Sequence, residues 1–148
     1  MSEDPRTASA ALRAARVSDV MSFPLVTCSA GVPLREVAEL MTRHRIHAVV
    51  VLDDPAGRGP SRPWSVISEL DLVAAAPFDE PDVSAGRVAG TPVVVVRPDE
   101  SLARAAMLMA EYAITHLIAV GEEGKPAGIV SALDVARALS PPPARTVD

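Results

Sequence analysis

The chain has 148 residues, 49% of them hydrophobic, 22% charged and 3% aromatic, with a formal net charge of −5. So few aromatic rings and an acidic balance speak against a base-stacking nucleic-acid surface and against non-specific binding to phosphate backbones or anionic lipid. One cysteine, Cys28, excludes an internal disulfide framework, and no apolar run approaches the ~18–20 residues of a membrane span.

Met1–Thr7 holds two acids and no apolar core, unlike a signal peptide. The expected setting is therefore a reducing one, the cytoplasm. Mean hydropathy is +0.23. That predicts apolar surface in need of cover, as in a homodimer interface.

In chain order, residues 1–16 form a lead whose Ala-rich stretch from Ala8 to Arg16 predicts a helix. A first unit spans residues 17–76. It reads as a strand over Leu25–Cys28, a helix over Leu34–Arg43, strands over Ala48–Leu52 and Trp64–Ile67, and a helix over Glu69–Ala76. Between Asp53 and Trp64, Pro55, Gly57, Gly59, Pro60 and Pro63 mark a surface loop. Residues 77–84 read as a linker.

A second unit spans residues 85–139. It has a strand over Val93–Val96, a helix from Leu102 through Glu111, and strands over Leu117–Val120 and Ala127–Val130. Gly121 to Gly124 supplies a turn, and Ser131 caps a helix running to about Leu139. The tail 140–148, with Pro141-Pro142-Pro143, cannot continue that helix and is expected to be disordered.

The two units are copies of one design. A shift of 68 positions aligns Val20 with Val88, Pro24 with Pro92, Leu34 with Leu102, Leu40-Met41 with Leu108-Met109, and Ile46 with Ile114. Past the loop the shift becomes 63 and aligns Ser68, Leu70 and Asp71 with Ser131, Leu133 and Asp134. A repeat tolerates such an insertion in a surface loop. One unit alone buries too little surface for comfortable stability. The predicted fold class is α+β: two β-α-β-β-α repeats packed sheet to sheet about a pseudo-twofold axis.

These residues resemble a known family. Each unit is similar to a cystathionine-β-synthase (CBS) domain, and the tandem to a CBS pair, or Bateman module. The resemblance rests on three landmarks, met twice in order. They are Val17-Ser18-Asp19-Val20-Met21 with Pro24-Leu25-Val26-Thr27, answered by Val88 with Thr91-Pro92-Val93-Val94; Ile46-His47 leading into Ala48–Asp53, answered by Ile114-Thr115-His116 leading into Leu117–Val120; and Ile67-Ser68-Glu69-Leu70-Asp71, answered by Val130-Ser131-Ala132-Leu133-Asp134. There are departures. Val50 and Ile118 stand where many members carry proline, Ser65 replaces the glycine seen as Gly128, and serine replaces the closing threonine in both copies. With no catalytic or transport domain in the sequence, the chain resembles the stand-alone members. The resemblance implies a non-catalytic regulatory module that binds AMP, ADP, ATP or S-adenosylmethionine between its repeats, forms a homodimer and acts on an unknown regulated protein.

The Ser-x-x-Asp pattern has its own chemistry. Ser68 and Ser131 sit at helix starts, where free N–H groups favour an anion. Asp71 and Asp134 lie one turn on, and a carboxylate accepts the paired hydroxyls of a ribose. The same four residues also make a plain helix cap with nothing bound. Arg137, three residues past Asp134, suits a phosphate, whereas its counterpart is Ala74, so the second copy is the better equipped. From the resemblance, His47, Thr115 and His116 are further candidates for phosphate contact, and Thr91 for the base pocket, where the first unit has Phe23. Val26, Val94, Val49 and Leu117 are candidates for sandwiching an adenine, or are plain core.

No Gly-rich phosphate loop, Gly-x-Ser-x-Gly elbow or His-Glu-x-x-His signature occurs, so no enzyme is expected. His44, His47 and Cys28 match no metal-ligand spacing. The alternative is a ligand-free dimerisation or protein-interaction module with vestigial clefts.

Overall fold

The computed structural model describes residues 8–23, 25–52, 63, 65–77 and 83–140. Pro24, Trp64, most of the Pro/Gly loop, part of the 77–84 linker and the tail beyond Ser140 lie outside the described residues. The elements run α1 (Ala8–Ala14), α2 (Val17–Val20), β1 (Thr27–Cys28), α3 (Leu34–His44), β2 (Ala48–Val51), β3 (Ser65–Ser68) and α4 (Glu69–Ala75). They continue with α5 (Ala85–Val88), β4 (Thr91–Pro92), β5 (Val95–Val96), α6 (Leu102–Tyr112), β6 (His116–Val120), β7 (Pro126–Ser131) and α7 (Ala132–Leu139).

Two mixed sheets result. In the first, β1 pairs parallel with β2, and β2–β3–β4 pair antiparallel. In the second, β5 pairs parallel with β6, and β6 antiparallel with β7. The middles of the central strands, residues 49–51 of β2, 66–67 of β3 and 117–119 of β6, are apolar because both faces are covered. Val49, Val51 and Ile67 pack on the helix side of the first sheet. Leu117, Ala119 and Val130 do so on the second. The alternate residues Ala48, Val50, Val66 and Ile118 meet between the sheets. The expected sheet-to-sheet packing of two α+β repeats is thus observed, and strand period two explains which residue faces which core.

Helices α3 and α6 end alike. Arg45 and Ala113 both take the left-handed conformation, with φ of 53° and 54°. Ile46 N and Ile114 N then reach back to Met41 O and Met109 O, both at 3.0 Å. That closes the last turn as a C-terminal cap.

The repeats exchange their openings. Val17, fully buried, packs with Leu102, Leu117 and Val130 of the second unit. Its N–H donates to Glu100 O at 2.9 Å, and Ser22 bridges to Ile129 of β7. Reciprocally, Ala85 packs in the first-unit core and donates to Val32 O at 2.8 Å, and β4 pairs with β3. Burying a valine side chain contributes about 1.5–3 kcal/mol, so each exchanged segment is held by its partner's core. The strand expected over Val93–Val96 is regular only at Val95–Val96. Val93 instead packs between the sheets and Val94 against the second-unit core.

Candidate functional site

The closing motifs are built identically. Ser131 N donates to Asp134 Oδ2 at 2.8 Å, Ser131 Oγ donates to the same oxygen at 3.1 Å, and Asp134 N donates back to Ser131 Oγ at 3.3 Å. In the first unit the three distances are 2.8, 3.3 and 3.4 Å for Ser68 and Asp71. Both pairs are therefore capping boxes, which satisfies otherwise orphaned donors of α4 and α7. Each box engages Oδ2 of its aspartate. Asp134 Oδ1 faces Arg137 Nη1 at 3.6 Å.

Because the openings are exchanged, each motif faces residues of the other repeat. Two clefts follow. The first, a cavity of about 180 Å³, joins Ser131, Asp134 and Arg137 to Ser22, Arg45, Ile46 and His47 of the first unit. We call it the arginine cleft. The second, of about 510 Å³, joins Ser68 and Asp71 to Thr91, Ala113, Ile114 and Thr115 of the second unit. We call it the threonine cleft. The nine candidate residues therefore fall into these two clefts, and none is stranded elsewhere.

Thr91 is also structural: its carbonyl accepts from Ser65 Oγ at 2.6 Å. That contact accommodates the serine found where the other copy has Gly128. Phe23, expected to alter a base pocket, does not line the arginine cleft and is 70% exposed. Val49 and Leu117 are fully buried core rather than cleft walls, whereas Val26 does line the arginine cleft.

His47 and His116 line both clefts, so they form the partition between them. His47 Nδ1 meets Glu69 Oε2 at 2.9 Å, and His116 Nδ1 meets Thr115 Oγ1 at 2.9 Å. Burial lowers the His116 imidazole below its ordinary value, and the neighbouring His47 lowers it further. Asp134 and Glu69 act in the opposite direction, more weakly. Desolvation dominates because a charged ring there loses its water.

Arg45 and Ser22 carry no motif that singles them out in sequence. Arg45 stands opposite Ala113 under the 68-residue shift and just before a central strand. That repeat position, read across both copies, is the one signal that could have found it. Among the described residues, no cluster of three or more His, Cys, Asp or Glu is arranged to hold a metal ion. No helix among them is long and apolar enough to cross a membrane.

Residues 17–77 and 85–141 each match the CBS domain family. The chain belongs to that family. Its two repeats form a CBS pair. An uncharacterized 17.7 kDa protein of Acidianus ambivalens is 29% identical to it over 126 residues, which is 85% of this chain and 74% of that protein. The CBS domain protein PAE2072 of Pyrobaculum aerophilum, solved complexed with AMP, matches with a TM-score of 0.69 at 28% identity. That match covers 80% of this chain and 88% of the other. The CBS domain pair of protein MJ0100, solved with 5′-methylthioadenosine and S-adenosyl-L-methionine, matches with a TM-score of 0.69 at 22% identity. It covers 82% of this CBS pair and 93% of its own chain, and shares the fold.

Proposed function

We propose that this CBS pair is a non-catalytic, cytoplasmic regulatory module that binds an adenosine-containing ligand (AMP, ADP, ATP or S-adenosylmethionine) in the clefts between its repeats. The observation that carries the reading is the composition of each cleft. A Ser-x-x-Asp motif of one repeat stands against the opening and second-strand residues of the other. The capping boxes use one carboxylate oxygen and leave Oδ1 to meet ribose hydroxyls. At Asp134 this exchanges the loose Arg137 contact for the ligand. The AMP complex of PAE2072, a relative with the same fold, supports the ligand class.

The cleft sizes suggest how binding is read out. Ordinary ligand pockets span about 300–1,000 Å³. The threonine cleft lies in that range and the arginine cleft below it, and both open to solvent, so a nucleotide entering either one bridges the two repeats. The ligand shifts their orientation by its differential affinity for the open and closed states, and a regulated protein reads the change. Exposed Leu70 and Val73 of α4 and Leu133 of α7 favour a homodimer through these helices.

A thermal-shift screen tests the reading. At a hundredfold excess over Kd, a ligand of the folded state stabilises it by about 2.7 kcal/mol. We expect a clear rise in Tm with at least one of AMP, ADP, ATP and S-adenosylmethionine. No rise with any of them at millimolar concentration overturns the reading in favour of a ligand-free assembly module.

A further inference from the structure

We propose that the two clefts take different chemical classes of adenosine ligand: the arginine cleft a phosphate-bearing nucleotide, the threonine cleft an adenosine derivative without phosphate. The inference rests on the adenosine reading above and assigns a ligand class to each site.

The ionic groups divide unevenly. The arginine cleft sets two guanidinium groups, Arg45 and Arg137, against one carboxylate, Asp134. The threonine cleft has two carboxylates, Glu69 and Asp71, and no guanidinium among its described lining residues. His47 and His116 are shared and do not distinguish them. A phosphate entering the arginine cleft gains charge-assisted bonds of the kind a guanidinium makes in pairs. In the threonine cleft the same phosphate meets the carboxylates of Asp71 and of Glu69, the latter bonded to His47, whereas a neutral or cationic substituent meets no like charge. That cleft supplies hydroxyls from Thr91 and Thr115 in place of cations.

The asymmetry is sharpest at Arg45 and Ala113. Both close a helix in the left-handed conformation, so the backbone geometry belongs to the repeat and not to either ligand. Only the side chain differs. A left-handed arginine is tolerated at this turn, and its position at the cleft wall is the consequence. The same substitution should therefore be tolerated at residue 113.

Isothermal titration of the full chain with AMP and with adenosine tests this. AMP should fill one cleft per chain, and adenosine should still bind AMP-saturated protein. Arg45→Ala should weaken AMP roughly tenfold or more while leaving adenosine binding to AMP-saturated protein unchanged. Exclusion of adenosine by AMP, or equal weakening of both probes in Arg45→Ala, overturns the division while leaving the adenosine reading intact. If neither AMP nor adenosine binds, the division is overturned, and the adenosine reading falls with it only when ADP, ATP and S-adenosylmethionine also fail to bind.

Discussion

Ser131 and Asp134 exchange three hydrogen bonds at the start of α7, and every one of them on the carboxylate side goes to Oδ2. The pair therefore has a folding role before any ligand arrives. Ser131→Ala should cost about 1 kcal/mol of stability, the usual worth of an N-cap. Asp134→Ala should cost about 2 kcal/mol, because it removes an ionised acceptor of two donors from a buried position. Urea denaturation measures both. A ligand effect of Asp134→Ala counts only after correction for this loss.

Gly128 tests the exchange of opening segments. A Cβ there would stand 2.8 Å from Ser22 O and 2.9 Å from Met21 Sδ. Backbone cannot yield cheaply, so Gly128→Ala should destabilise by about 1–3 kcal/mol. Gly90→Ala should be close to neutral, since its nearest atom lies 3.8 Å away. Equal denaturation midpoints for the two variants would show that Ser22 does not lie against β7.

His116 sets a pH dependence. Its folded-state proton affinity is lowered, chiefly by burial. As pH falls through about 6.5, the unfolded chain takes up the proton first. Stability is therefore complete above that pH and declines below it. Tm should drop between pH 7.5 and 5.5, and His116→Gln should flatten that slope.

The exposed leucines carry a prediction about oligomeric state. Leu70 is 72% and Leu133 is 46% exposed, on equivalent helices of the two repeats. Light scattering should give twice the 15.5 kDa chain mass. The double variant Leu70→Asp, Leu133→Asp should be monomeric, with a Tm that no longer depends on protein concentration. A wild-type chain that runs as a monomer sinks the dimer.

The sequence by itself determined the repeat, the order of helices and strands within it, and the Ser-x-x-Asp caps. These are local properties: apolar spacing, turn residues and capping need only neighbours a few positions apart. It also singled out Ser131, Asp134 and Arg137 as the better-equipped motif. Tertiary structure alone decided that Val17 and Ala85 are buried in each other's repeats, that Arg45 completes the arginine cleft, and that His47 and His116 divide the two clefts. Those relations join residues tens of positions apart, and apolar periodicity is the same whichever core a segment enters. Only packing of one sheet on the other chooses between the two cores.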